Sequence, residues 1–274
     1  MVIKQSKGKS HVKISIRNLD FSYSLVGDQK INVIDNLNLD INDREFLSVV
    51  GASGCGKSTL LNIIAGLLPP QRGTVMLDGN PITNPGPDRT MVFQDDAVFP
   101  WYSVKDNVAY GVKNTIPDSK RREKEVEQTL ILVGLSENAK MFPRQLSGGM
   151  RKRVDVARAI ITRPQVLLMD EPFAALDVMT KQKLQEEFLK IWNETMMTVI
   201  FVTHDLEEAL YMADRVVVMA SNPGRILEIV DVPFSRPREK DLKTSADFAR
   251  MRRDLGHIFD THPIESQNAS YLGD

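Results

Sequence analysis

Gly51-Ala52-Ser53-Gly54-Cys55-Gly56-Lys57-Ser58-Thr59 lies between the apolar run Phe46–Val50 and a helix-patterned stretch from Lys57 to Leu68. The order reads as strand, glycine-rich turn, helix, and the nonapeptide fits G-x-x-x-x-G-K-[ST]. Glycines permit positive φ, so consecutive N–H groups can converge on one concavity and cradle phosphate oxygens. Lys57 is placed to reach the β- and γ-phosphates of a nucleotide, and Ser58 to set its hydroxyl on Mg²⁺. The helix adds its positive N-terminal end. Gly51, Ser53, Gly54, Cys55, Gly56, Lys57, Ser58 and Thr59 form the expected phosphate-binding set. Gly-rich turns between strand and helix are common, but the elements on both sides favour the phosphate loop. Cys55 is the one cysteine of the chain, so no intramolecular disulfide is available and it reads as a spacer in the loop.

A second group of residues lies about a hundred positions downstream. Val166-Leu167-Leu168-Met169 is a fully apolar run ending in Asp170-Glu171. A buried strand delivers a carboxylate rigidly to a sheet edge, where Asp170 can hold Mg²⁺ and Glu171 can polarise an attacking water. Two surface acids in a turn are the plainer alternative; beside a phosphate loop that alternative loses weight. Gln94 follows the short strand Met91–Phe93, and its neutral amide can bind Mg²⁺ or water. His204 follows Val199–Thr203. Each of these two is weak alone, since a lone histidine at a strand end is more often structural.

The surrounding pattern supports an α/β fold. Val12–Leu19, Ile31–Ile41 and Phe46–Val50 read as strands, with polar breaks at Gly27-Asp28-Gln29 and Asn42-Asp43. The helix after the loop is expected to stop at Pro69-Pro70. Gly73–Leu77 and Thr90–Phe93 are further short strands. From Ser103 to about Ile161 the pattern is helical, with Glu123, Val126, Leu130, Ile131 and Val133 at a 3.6-residue period. Asp177–Glu194 and Leu206–Met212 read as helices, Val199–Val202 and Val216–Met219 as buried strands. That alternation predicts parallel βαβ units. Ala246–Phe259 could form an amphipathic helix, and residues 263–274 read as a frayed tail. No internal repeat is visible.

Composition narrows the class. The 274 residues carry 35 basic and 36 acidic side chains, a formal net charge of −1, which disfavours nucleic-acid binding through a basic surface. No apolar run reaches the roughly 18 residues of a membrane span. The basic N-terminus MVIKQSKGKSHVK has no apolar segment behind it and is not expected to be a signal peptide. These features predict a soluble cytosolic protein.

Leu146-Ser147-Gly148-Gly149-Met150 makes the reading specific. The chain strongly resembles the ATP-binding cassettes of ABC transporters, whose signature LSGGQ is followed by a helix of pattern QRVAIARA. Here LSGGM is followed by Arg151-Lys152-Arg153-Val154-Asp155-Val156-Ala157-Arg158-Ala159. Other family elements appear in the family's order. Tyr23 matches the aromatic that stacks on adenine, Gly51–Thr59 the Walker A loop and Gln94 the Q-loop. Asp170 closes Walker B, Glu171 follows as the general base, Ala174-Ala175-Leu176-Asp177 resembles the D-loop and His204 the switch histidine. The resemblance runs from about residue 12 to 232. It implies an α/β P-loop NTPase cassette with a mixed sheet core, an antiparallel β subdomain and a helical signature subdomain at about residues 96–162. The cassette would span 1–234, with a short helical extension over 235–274.

The resemblance also implies chemistry and partners. ATP would bind at Tyr23, the Walker A residues, Gln94, Ser147, Gly148, Gly149 and Asp177. Ser58, Gln94 and Asp170 would hold Mg²⁺, and Lys57, Gln94, Glu171 and His204 would serve catalysis. Ser147-Gly148-Gly149 opens a helix and offers a second phosphate-binding end. The family arrangement implies a head-to-tail homodimer with two ATPs between the phosphate loop of one copy and the signature of the other. Permease subunits in the membrane, and indirectly a substrate-binding protein, complete the expected partners. The chain would then sit peripherally on the cytoplasmic face of the inner or plasma membrane.

Pro87-Asp88-Arg89, Val92-Phe93-Gln94 and Phe99-Pro100-Trp101, with Met150 and the segment Arg236–Arg253, are similar to the importer branch for nitrate, sulfonate, taurine and bicarbonate. Phe99, Pro100, Trp101 and Tyr102 could pack in the helical subdomain or form a groove for a membrane subunit, and some of each is expected. No appended regulatory domain is predicted. Met150 replaces the usual glutamine beyond the phosphate-contacting residues, and no loss of activity is expected from it. Asp155 replaces a small residue, and the sequence offers no account of it. Repair-type ABC proteins would need a coiled-coil insertion, and translation-type ones two cassettes. Exporter and lipid-transport cassettes stay as rivals. The intact catalytic set argues against a non-hydrolysing cassette.

Overall fold

The computed structural model describes residues 11–24, 30–174 and 176–261. The break at Gly27-Asp28-Gln29, Ala175 of the D-loop segment, and the tail from 263 onward lie outside the described residues, as does most of the basic N-terminus.

Two long strands, β1 (Val12–Ser24) and β2 (Lys30–Asn42), pair antiparallel, and β3 (Phe46–Gly51) leads into the loop and α1 (Lys57–Ala65). Next come β4 (Arg72–Leu77), the two-residue β5 (Asn80–Pro81) and β6 (Arg89–Val92). Three helices follow: α2 (Val104–Tyr110), α3 (Ser119–Leu132) and α4 (Gly148–Ile160). The chain continues through β7 (Val166–Asp170), α5 (Val178–Thr195), β8 (Thr198–Thr203), α6 (Leu206–Met212), β9 (Arg215–Ala220), β10 (Arg225–Asp231) and α7 (Ala246–Thr261). Helices α2 to α6 each open on a Ser or Asp whose side chain accepts a first-turn N–H: Ser103, Asp118, Ser147, Asp177 and Asp205. Each such cap is worth about 1 kcal/mol.

The strands form an antiparallel sheet, β2-β1-β4-β5, and a six-stranded sheet, β10-β9-β3-β8-β7-β6. In the larger sheet β9, β3, β8, β7 and β6 are parallel, while β10 runs antiparallel at one edge. Its central strands are buried on both faces, which is why they read as unbroken apolar runs. Alternate residues divide between two cores. Phe46, Val50, Leu167, Met169, Val199, Phe201, Val216 and Val218 join the cluster containing α4, α5 and α6 residues. Leu47, Val49, Val166, Leu168, Ile200, Val202, Val217 and Met219 join the cluster with α1 and the antiparallel sheet.

Several expectations need correction. Helix α1 ends at Ala65, short of Pro69-Pro70, because Gly66 adopts φ 78° and its N–H returns to Asn62 and Ile63 carbonyls. A Cβ at Gly66 would lie 2.4 Å from the Asn84 main chain, so the close crossing of that segment holds the stop. In α3, Val126 and Leu130 are buried but Ile131 is 63% exposed, since it falls on the opposite side of the helix. The predicted parallel pattern did not include β10, whose residues are exposed or half-exposed, none buried, at a sheet edge. Helix α7, by contrast, is the amphipathic helix expected from Ala246 onward, and it packs on the main domain: Phe248 and Leu255 are both 1% exposed within the larger core.

Candidate functional site

Four chemistry-bearing segments meet the same edge of the parallel sheet. In register, Val50 pairs with Thr203 and Val218, Asp170 with Val202, and Val92 with Met169. The loop after β3, the Asp170-Glu171 end of β7, His204 after β8 and Gln94 after β6 therefore all leave at carboxyl ends of neighbouring strands. Ligands of open α/β sheets bind outside these ends.

The loop after β3 is built by conformation and close approach. Gly54 and Gly56 have φ of 79° and 93°, and a Cβ at Gly51 would lie 2.5 Å from Cys55 Sγ and 2.8 Å from Met219 O. Lys57 is buried, and its ammonium donates to Gly51 O at 2.8 Å and Ala52 O at 3.0 Å, bridging the loop. Ser53, Gly54 and Ser58 are exposed, so the loop has an open face. Cys55 is more than a spacer. Its side chain is fully buried in the core under the loop, 3.9 Å from Lys57 Nζ, and burial pushes its thiol pKa up.

Asp170 ends β7 largely buried, and its Oδ1 has no hydrogen-bond partner among the described residues. Burial pushes its carboxyl above the ordinary range; a hydrogen bond with Ser58 and the Lys57 charge oppose that shift, and Glu171 adds to it. A buried, unpaired carboxylate oxygen beside a serine hydroxyl suits a hard divalent cation completed by phosphate oxygens and water. No group of three or more His, Cys, Asp or Glu among the described residues is arranged to hold a metal ion, so a cation here would rely on few protein ligands.

Glu171 adopts φ 42°, a left-handed conformation that costs a non-glycine residue of order 1–3 kcal/mol. Its N–H donates to Val202 O at 3.0 Å, which holds the turn against β8. The turn brings its carboxylate to His204, with Oε2 at 2.9 Å from Nδ1. A carboxylate only accepts, so Nδ1 carries the proton and Nε2 of a neutral ring is left as an acceptor.

The remaining expected residues occupy distinct places. Tyr23, 42% exposed at the end of β1, packs edge-on against Phe21, with its hydroxyl 3.4 Å from Thr59 Oγ1. Its phenol therefore lies beside the helix that follows the loop. Gln94 is exposed. Ser147 caps α4 by accepting the Met150 N–H. Gly149 is needed for packing, since a Cβ there would meet Thr180 Cγ2 at 2.7 Å, whereas Gly148 has room for one. Asp177 caps α5 and accepts the Thr180 N–H, and this bonding with Thr180 lowers its pKa. Val178 and Met179 beside it are 77% and 75% exposed.

Comparison with known proteins shows the family. Residues 34–174 match the ABC transporter family model. The chain belongs to the ABC transporter ATP-binding family. It is 43% identical over 260-odd residues to an uncharacterised ABC transporter ATP-binding protein of Methanocaldococcus jannaschii, covering 96% of this chain and 97% of that one. It is 50% identical to the nitrate import ATP-binding protein NrtD of Synechococcus elongatus over 76% of this chain and 77% of the relative. Relatives at similar identity include bicarbonate and taurine transport ATP-binding proteins. The dimeric structure of MJ0796, a bacterial ABC transporter cassette, superposes with a TM-score of 0.72 at 30% identity, covering 81% of this chain and all of that one. The cassette is thus an ABC transporter ATPase with the α/β fold expected from its sequence.

A buried group that the sequence does not single out lies behind the β8–α6 turn. Glu208, 4% exposed, accepts from Thr203 Oγ1 at 2.6 Å and Gln185 Nε2 at 3.1 Å, and pairs with Lys181 Nζ at 2.9 Å. These contacts brace the β8–α6 turn from which His204 projects. The available signal was a glutamate on the apolar face of a short helix, at Leu206-Glu207-Glu208-Ala209.

Proposed function

We propose that the chain works as one half of a head-to-tail homodimer that hydrolyses ATP to drive import of a small anion through a separate membrane permease. The observation carrying this reading is the Glu171–His204 pair at 2.9 Å on the sheet edge that also presents Lys57 and Asp170. Lys57 and the loop N–H groups bind the β- and γ-phosphates, and Tyr23 stacks on the base. Glu171 takes the proton of the attacking water, and His204 orients that carboxylate. Ser58, Asp170 and Gln94 would hold Mg²⁺, which would supply neutralisation of charge on the phosphate oxygens.

The open face of the loop supports a shared nucleotide, with Ser147, Gly148 and Gly149 of the second copy closing on it. The exposed Val178-Met179 pair next to Asp177 suits the same contact. Similarity to a nitrate import protein supports the importer reading and its anionic substrate class. The cassette spans 1–234, with its helical part at about 96–162 and an extension over 235–274. No helix among the described residues is long and apolar enough to cross a membrane. The chain sits peripherally on the cytoplasmic face, and the permease supplies the crossing.

The test uses Glu171→Gln. Wild type should turn over ATP in the presence of Mg²⁺, while the variant binds ATP, loses turnover by at least about a hundredfold and elutes as a dimer. Equal turnover would overturn the general-base role, and a variant that stays monomeric with ATP and Mg²⁺ would overturn the shared-nucleotide dimer. With permease and receptor in vesicles, uptake of nitrate, taurine or bicarbonate should follow ATP addition; ATP-driven movement of lipid instead would overturn the importer reading.

A further inference from the structure

Helix α4 carries two charges where its position in the fold favours none. Lys152 and Asp155 are 4% and 5% exposed, at sites where the pattern QRVAIARA has glutamine and alanine. Buried charges are tolerated when paired and fully hydrogen-bonded. Here three of the partners are main-chain groups of one segment; in addition Arg158 Nη1 lies 3.4 Å from Asp155 Oδ1 and Lys152 Nζ 3.9 Å from Asp96 Oδ1. Lys152 Nζ donates to Phe93 O at 2.9 Å and Gln94 O at 3.0 Å. Asp155 Oδ2 accepts the Ala97 N–H at 3.0 Å. The two charges lie 4.0 Å apart.

Two flanking residues extend the grip. Arg151 Nε pairs with Asp96 at 2.6 Å. Arg158 donates to Ala97 O, and its guanidinium lies 4.3 Å from the Phe99 ring centroid. Positions 151, 155 and 158 recur at the helical period, with 152 adjoining, so one side of α4 binds the segment from Phe93 to Phe99. That segment lies past the end of β6, the edge strand, and has no sheet ladder to hold it.

We propose that Lys152 and Asp155 are positioning residues that clamp both ends of the Gln94 segment to α4, so that Gln94 and the Ser147 end of that helix move as one body. With its own carbonyl and that of Phe93 held by Lys152, and the Ala97 amide held by Asp155, Gln94 keeps freedom chiefly in its side-chain torsions. Displacement of α4 is then transmitted directly to the Gln94 amide, and a phosphate or cation bound by that amide biases α4 in return. The proposal rests on the reading of Gln94 given under Proposed function.

The experiment uses the full chain with Lys152→Gln, Asp155→Ala, the double variant, Lys152→Arg and Gln94→Ala. Amide hydrogen exchange of residues 94–98 and of Val156–Ile160 is measured beside kcat, KM for ATP and Tm. Each single loss should raise exchange at Ala97 and its neighbours at least tenfold while Val156–Ile160 stay within about twofold. It should lower kcat about tenfold with KM within threefold, and Lys152→Arg should recover most of both. The double variant, which restores an uncharged pair, should be no worse than the weaker single. Unchanged exchange over 94–98 would overturn the clamp, as would a rise shared equally by Val156–Ile160 or a double variant whose loss is the product of the singles. Impaired turnover in Gln94→Ala with wild-type turnover in the clamp variants would also overturn it. Wild-type turnover in Gln94→Ala would instead overturn the reading of Gln94, while the exchange data decide the clamp on their own. Should a single variant fail to fold, Lys152→Arg and the double variant carry the same comparison.

Discussion

Glu171 Oε2 lies 2.9 Å from His204 Nδ1, although the residues are 33 positions apart and sit on different strand ends. The strained φ of Glu171 and the bracing of the β8–α6 turn by Glu208 both serve that distance. Groups that act as a unit lose function non-additively. His204→Ala should therefore lower kcat by about a hundredfold or more. Adding Glu171→Gln should reduce it by less than about threefold beyond the worse single. Multiplicative losses in steady-state turnover would show two independent contributions.

Asp170 predicts an opposition between stability and activity. Its folded pKa is raised above the ordinary 3.8, mainly by burial, so the folded state holds its proton more tightly than the unfolded one. The resulting penalty is absent below about pH 3.8, grows as pH rises through the folded pKa and stays constant above it. In metal-free urea titrations, Asp170→Asn should thus be more stable than wild type near neutrality, with the gap closing toward acid pH. Mg²⁺ and ATP should reverse the order, and the variant should lack turnover. A variant less stable at every pH would refute the burial argument.

Two loop glycines should separate by mechanism. Gly51→Ala drives a methyl into Cys55 Sγ and Met219 O, and should cost about 1–3 kcal/mol. Gly54→Ala meets open space and carries only the penalty of a positive φ, about 1 kcal/mol. Chemical denaturation should rank Gly51→Ala as the more damaging.

Phe248 tests whether the C-terminal helix belongs to the core. It is 1% exposed and stacks on Phe234 at 5.6 Å between centroids. Phe248→Ala should lower stability by about 3–5 kcal/mol. A loss under 1 kcal/mol would mark α7 as a loosely attached appendage.

Trp101 is 67% exposed, stacked on Phe99, which itself contacts Tyr102 and Tyr110. Phe99 is the inner ring of this cluster and Trp101 the outer, exposed one. Trp101→Ala should weaken co-purification with the membrane subunit while ATP affinity and Tm change little. A large drop in Tm with assembly unaffected would make Trp101 a packing residue instead.

The sequence by itself determined the local chemistry: a strand, a turn able to take positive φ at Gly54 and Gly56, and a helix starting at Lys57. It also determined that Val166–Met169 and Val199–Val202 are buried on both faces, because hydrophobic periodicity and glycine are properties of short segments. Only the tertiary structure decided that β8 lies between β3 and β7, and so which strand ends are neighbours. It alone set the 2.9 Å approach of Glu171 to His204, the stop of α1 at Gly66 against the Asn84 segment, and the burial of Cys55 under the loop. Asp155 illustrates the difference most directly. In the sequence it is an unexplained acid on an apolar helix. In the fold it lies between Lys152 and Arg158, three positions away on either side, and accepts the Ala97 amide 58 residues away; local spacing records the first two but not a main-chain group brought near by the path of the chain.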